Sequence, residues 1–453
     1  MTGFSSDTTR VGWQPGRKRG DRQTAGGGDD QPSHDGLPTV RPSLWIVLLT
    51  TGKKRSGIRE THQYRSDRCV LRGRTSEMKR KVISAISLSI TAYAAGAHAQ
   101  SSVTLYGIVD TGIAYIHNSG GQASQWKMSA GNLSGNEWGL KGTEDLGGGL
   151  SASFQLENGF DLGSGQLQND GRMFGRQAFV GLGSTRFGTV TLGRQYDPVT
   201  DLVQPITADS YSGLFAPPGD IDNYDDSARF NSAVKWTSPS WGGVTVETMY
   251  AFGGVAGSTG SGQSWSAAAA YSGGALSVAG GFLHVDNGNA RTSARGTSSA
   301  DSFFNSAVNA AYATARGIDI GRIGAQYVVG PVTAGAAYSY TRYTSDGAST
   351  FAGSQHFQNG SVFASWMATP TLQVIGGYNY TRSGGHSSAT YQQVNLGVDY
   401  LLSKRTDVYA MAGYQHASGD NGQGSAQAVI GSYDVNSGAN SQIVAIVGLR
   451  HKF

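Results

Sequence analysis

The last thirteen residues, 441–453, alternate strictly enough to fix their own conformation. Counting back from Phe453 by twos gives His451, Leu449, Val447 and Ala445. The interleaved set is Lys452, Arg450, Gly448, Ile446 and Val444. Near the terminus the first set is apolar or ring-bearing and the second is basic. A period of two is the period of a β-strand. The pattern runs to the final residue, so the chain ends inside a sheet and not in the frayed tail that most termini form. A sheet also has to account for the remaining 440 residues. They contain no apolar run near the ~18 residues that a membrane helix requires, and mean hydropathy is negative. Such a chain either avoids lipid or meets it through alternate residues only, a pattern that averaged hydropathy conceals.

The first hundred residues differ in kind from the rest. Met78 opens MKRKVISAISLSITAYAAGAHAQ: a basic segment, Lys79 to Lys81, a mostly apolar stretch over 82–95, and Ala97-His98-Ala99 before Gln100. This is the pattern of an export signal with its cleavage site. Export signals act at an N-terminus. The expectation is therefore that translation starts at Met78, that 78–99 is a signal peptide, and that 1–77 comes from an upstream start assignment or is a disordered extension. The first hundred residues hold 17 of the 35 Lys and Arg but only 8 of the 31 Asp and Glu, so 18 basic and 23 acidic residues remain, net −5. The basic balance belongs to the leader, and nothing in the mature portion suggests nucleic-acid binding. The single cysteine, Cys69, also lies in the leader, which excludes a disulfide scaffold.

Taken in order, 102–116 reads as a strand with Val103, Leu105, Val109, Ile113 and Tyr115 on one face and Thr104, Tyr106 and Asp110 on the other. A polar loop is expected next, then strands at 137–146 and 150–162 across the Gly147-Gly148-Gly149 turn. A hairpin follows, 176–184 and 188–196. Residues 197–227 carry Pro198, Pro205, Pro217 and Pro218 with no sustained period. A non-repetitive loop of this length is uncommon and usually functional. Beyond it come eleven further strands, 228–238, 242–253, 264–273, 275–286, 318–329, 331–344, 355–368, 371–382, 391–402, 406–417 and 441–453. Sixteen strands of about ten residues, joined alternately by short turns and long loops, predict an all-β, 16-stranded antiparallel transmembrane barrel. Closure removes the unpaired edges that lipid cannot solvate. The non-lipid faces carry Gly, Asn, Asp, Thr and Tyr, as a water-filled lumen would.

These stretches resemble the trimeric 16-stranded general porins of Gram-negative bacteria, in the branch whose mature chains begin SSVTLYG. The resemblance is carried by SSVTLYGIVDTGI (101–113), WGLKGTEDLGGGL (138–150), GRMFGRQAFVGL (171–182), FGTVTLGRQYDP (187–198), NSAVKWTSPSWGG (231–243), YLLSKRTDVYA (400–410) and VGLRHKF (447–453). It implies an outer-membrane channel for passive diffusion of small hydrophilic solutes and ions, assembled as a homotrimer. The third extracellular loop, here about 197–227, would fold inward and narrow the pore. By position, Arg176, Arg229, Lys141 and Arg194 match basic wall positions. The facing acids would come from Asp220, Asp222, Asp225 and Asp226. Glu137 stands where many relatives carry a wall arginine, which weakens the positive side. Phe453 matches the terminal aromatic read by the barrel assembly machinery. Outer-membrane lipid and lipopolysaccharide are the implied surroundings. One conflict is visible in advance. Arg176 shares parity with Ala178, Val180 and Leu182, the apparent lipid set, so a pore-lining Arg176 requires a bend or bulge in the ladder or a different assignment of the two faces.

Other chemistries find little support. Asp220 to Asp225 resembles a calcium loop for three residues but lacks its central Gly and terminal Glu. The histidines are scattered without metal-ligand spacing, and no nucleophile–base arrangement is visible, so neither enzyme activity nor a cofactor is expected. The many tyrosines read as an interfacial girdle more readily than as a sugar-stacking track. A solute-specific channel and a non-conducting adhesin or structural barrel are the alternatives.

Overall fold

The computed structural model describes residues 102–225, 228–288, 296–433 and 435–453. Residues 1–101, with the export signal expected from Met78, lie outside the described residues, as does Asp226. The strands of the first half are β1 (Ser102–Ser119), β2 (Gln122–Ala130), β3 (Glu137–Gly147), β4 (Leu150–Gly159), β5 (Gln177–Ser184), β6 (Gly188–Gln195), β7 (Phe230–Thr237) and β8 (Val244–Ala251). Those of the second half are β9 (Ser264–Gly273), β10 (Leu276–Asp286), β11 (Gly317–Val329), β12 (Val332–Thr344), β13 (Ser354–Thr369), β14 (Leu372–Gly385), β15 (Ala389–Leu401), β16 (Thr406–Gly419) and β17 (Ser441–Lys452).

Apart from β2 with β3, consecutive strands pair antiparallel, and β1 pairs with β17 from Ile108↔Lys452 to His117↔Ile443, which closes the sheet. The seventeen segments fill sixteen ring positions. β3 pairs with the first half of β1 (Ser102↔Thr143 to Ile108↔Glu137), while β2 pairs with its second half (Thr111↔Ala130 to Ser119↔Gln122). β2 and β3 are thus one strand interrupted by residues 131–136. The polar loop expected between residues 116 and 137 is therefore half wrong. Residues 122–130, QASQWKMSA, are ladder, and their polar composition hid an alternation in which Trp126 and Met128 face outward.

Outward positions carry the apolar set. Val103, Leu105 and Ile113 on β1, Leu396 on β15 and Val447 on β17 are each more than half exposed, as a lipid-facing band requires. Exposed aromatics flank it: Tyr271, Tyr327, Trp366 and Tyr400 toward the short turns, Trp126, Tyr340 and Tyr380 toward the long loops. This matches the girdle reading. No described helix is long and apolar enough to cross a membrane.

The short turns demand little chain. Gly147, Gly148 and Gly149 all have positive φ (81°, 63° and 78°), a region that glycine enters without steric cost. The long loops do more. Residues 196–229, 296–316 and 420–440 pack their apolar side chains against the inner wall of β7–β17.

Candidate pore constriction

Residues 196–229 begin with a helical turn, α1 (Pro198–Val203). Asp197 caps it by accepting from the Val199 and Thr200 amides, and Pro198 occupies the first turn, where no amide donor is needed. Short 3-10 turns follow at Gln204–Ile206, Ala208–Ser210, Gly213–Phe215 and Pro218–Asp220. Val199, Val203, Ile206, Leu214, Phe215 and Ile221 are buried, which holds the loop inside the barrel and out of solvent.

The loop crosses the lumen and is tied to the far wall. Asn379 Nδ2 on β14 donates to the carbonyls of Phe215 (2.7 Å) and Ala216 (3.1 Å), and Gln393 Nε2 on β15 donates to that of Leu214 (2.8 Å). Ser212 Oγ donates to the Asn132 carbonyl (2.7 Å), in the interruption between β2 and β3. That interruption also points inward. Asp110 on β1 accepts from the amides of Leu133 (2.6 Å) and Ser134 (2.9 Å) and from the Tyr409 hydroxyl. The 420–440 loop backs both: Gly219 N donates to the Gly431 carbonyl, and Tyr433 Oη donates to the Asn132 carbonyl. Sequence reasoning treated 420–440 as an ordinary polar loop. The run Ala426, Ala428, Val429, Ile430 was the signal that its middle is buried.

Most inward side chains of β11–β16 lie buried beneath this material. Those of β1, β3, β4 and β6 that remain accessible include Thr104, Tyr106, Lys141, Thr143, Gln155 and Thr189. Of the four basic positions expected on the wall, Lys141 is exposed on this open side and Arg176 partly so, while Arg194 and Arg229 are buried.

Arg176 precedes β5, whose ladder starts at Gln177. The parity conflict dissolves, because alternation does not bind a residue outside the ladder. Its guanidinium reaches Glu137 (2.8 Å) and Glu157 (2.9 Å), and Tyr106 Oη donates to Glu157 (2.6 Å). Lys141 stands on the same wall with its ammonium 4.9 Å from the Tyr106 ring centre. Arg194 at the end of β6 donates to the Gly175 carbonyl (2.7 Å) and Asn231 (2.7 Å) and pairs with Asp301. The Arg229 amide also donates to Asp301 (3.2 Å), and its guanidinium stacks on Tyr196. The four basic positions thus lie along one stretch of wall, and the three arginines carry carboxylate, carbonyl or aromatic partners.

The loop acids lie elsewhere. Asp222 is fully buried, accepts from Ser339 Oγ on β12, and sits near Arg322 of β11. Arg322 donates to the Asn223 carbonyl (3.2 Å) and lies 3.5 Å from the Tyr224 ring centre. Burial pushes the Asp222 carboxyl up to about 6 despite Arg322, and burial likewise raises Asp209. Asp220 is buried and accepts from the Asp225 amide (2.9 Å). Asp225 is half-buried and accepts from Ser432 Oγ. Glu157, Asp301 and Arg322 were not singled out from sequence, since an isolated charge on a strand carries no motif.

Comparison with known proteins agrees with this architecture. A family model described as Gram-negative porin matches residues 85–420. An outer membrane porin protein of Bordetella pertussis is 37% identical over 190 residues, 39% of this chain and 48% of the relative. Outer membrane porin protein 32 of Delftia acidovorans is 36% identical over 176 residues, 37% of this chain and 49% of the relative. The chain thus spans about half the length of these two curated relatives. Among solved structures, the anion-selective porin from Comamonas acidovorans superposes with a TM-score of 0.63 at 25% identity, covering 78% of this chain and all of that one. The family match covers most of the chain and the barrel has its strand number and inward loop, so the chain belongs to the Gram-negative porin family.

Proposed function

We propose that the protein is a passive diffusion channel of the outer membrane for small hydrophilic solutes and ions, working as a homotrimer. The observation that carries this reading is the seating of 196–229 across the lumen. It covers one half of the wall and leaves polar side chains, Lys141 and part of Arg176 accessible on the other, where Arg194 and Arg229 are buried. Solutes would pass between this loop and the wall bearing Arg176, Lys141, Arg194 and Arg229. With each arginine already partnered, the transverse field is modest and ion selectivity weak, tilted toward anions as in the Comamonas relative. Planar-bilayer recording of the refolded mature chain under a salt gradient tests this. Large steps with a small reversal potential of anionic sign are expected, and silent bilayers from folded protein would move the assignment to a structural barrel.

Outer-leaflet lipid, including lipopolysaccharide, would meet a charged outward rim. Arg342 holds Asp319 (2.7 Å), which also meets His284 (2.7 Å), while Arg382 is exposed on the same face. Phe453, whose amide and carbonyl both bond Gly107, would serve the assembly machinery as the terminal signal. The mature chain would begin at Gln100 after export from Met78, and N-terminal sequencing of the membrane-inserted protein checks this.

A further inference from the structure

Above the inward segment 131–136, between it and the loops at 160–176, 196–229 and 420–440, lies a polar cavity of about 300 Å³. Lys127 on β2, Asp161, Asp225, Ser432 and Asn132 line it. Lys127 points inward and, among the described residues, has no ion-pair or hydrogen-bond partner. Asp161 uses Oδ1 to accept from the Ser164 amide and hydroxyl, both at 2.7 Å, which fixes its carboxylate. Its Oδ2 accepts nothing among the described residues. A cation and a carboxylate thus face one cavity and do not reach each other, because each is held by its own backbone segment.

We infer that this cavity is a subsite for small zwitterionic solutes, of the free amino-acid class, at the entrance to the constriction. This rests on the diffusion-channel reading. The solute carboxylate meets Lys127, and its ammonium meets Asp161, with Asp225 a second carboxylate on the same cavity. Both contacts are charge-assisted hydrogen bonds, the strong kind. A solute with one charge leaves the other protein group unmet, which is how a site discriminates. At about 30 Å³ per water the volume accepts a solute of about ten non-hydrogen atoms.

The test is bilayer recording of the intact channel with L-glutamine, N-acetyl-L-glutamine (anion only) and L-glutaminamide (cation only) at fixed ionic strength. L-glutamine should reduce the open current saturably, with both analogues about tenfold weaker or more. Lys127→Gln and Asp161→Asn should each raise the half-saturating L-glutamine concentration by about tenfold. Lys404→Gln, on a short turn at the opposite end, should leave it unchanged. Equal effects of the three probes on the unaltered channel would overturn the subsite, as would a reduction that never saturates. In either case normal steps without probe would leave the channel reading standing. Silent bilayers from folded protein would overturn the channel, and this inference with it.

Discussion

Arg176 and Glu137 meet at 2.8 Å across the start of β5 and the start of β3, and a second carboxylate, Glu157, approaches the same guanidinium at 2.9 Å. Arg176 is thus flanked by two acids, which weakens the positive potential that it and Lys141 give this wall.

Replacing Glu137 with Gln should therefore raise anion preference. A unit charge about 4 Å from a path in water is worth about 1 kcal/mol, and salt screens part of it. The chloride-to-potassium permeability ratio should rise about two- to fivefold, read from the reversal potential in a salt gradient. An unchanged ratio would show that Glu137 does not face the permeation path.

Arg322 anchors the constriction loop from beneath. Arg322→Met removes the charge opposite buried Asp222 and Asp209 and the donor to the Asn223 carbonyl. Breaking a buried pair from one side costs about 3–5 kcal/mol. The barrel ladder does not depend on it, so the loss should appear locally. Faster amide exchange over 209–224 and noisier, larger conductance are expected, with little change in the heat-induced unfolding of the barrel.

The loop should pack more tightly in mild acid. Asp222 is raised by burial to about 6, above its ordinary carboxylate value, and shares its surroundings with Arg322, Asp220, Ser339 and Tyr224. A group with a raised folded pKa binds its proton more tightly when folded. Its contribution is full below the unfolded value near 4 and is lost as pH rises through about 6. Exchange of the loop amides, corrected for intrinsic rates, should slow between pH 6 and 4, and Asp222→Asn should flatten that dependence. A flat profile in the unaltered protein would contradict the burial of this carboxyl.

Phe453 closes the barrel against Gly107. Its amide and carbonyl bond Gly107 at 3.0 and 3.2 Å, and its ring lies where a side chain at 107 would be, with a Cβ meeting the ring at 2.4 Å and the Glu137 carbonyl at 2.7 Å. Gly107→Ala leaves the terminal residue in place yet should destabilise closure by about 1–3 kcal/mol. A lower temperature for loss of heat-modifiable migration would show it. An unchanged temperature would mean the ring moves aside freely.

By itself the sequence determined the barrel. Period-two patterning is local, and in Val394, Leu396 and Val398 against Asn395, Gly397 and Asp399 it states both the strand and which face meets lipid. The short turns and the strand number follow from the same spacing, whereas the inward fold of the loop was implied by the family resemblance alone. What the sequence could not determine was where polar residues go once they are inside. Asp222 and Asp225 look alike in a loop of acids, yet one is buried on Ser339 and the other reaches Ser432, because tertiary folding brings β12 to the first and the 420–440 loop to the second. Arg176 looked lipid-facing until the ladder was seen to start one residue later. Residues 122–130 looked like loop because their inward side chains are polar, as any lumen-facing set must be. Alternation is decided between neighbours in the chain. Charge pairing is decided between residues on different strands and loops, such as Arg176 with Glu137 and Arg194 with Asp301, and only the closed barrel brings those together.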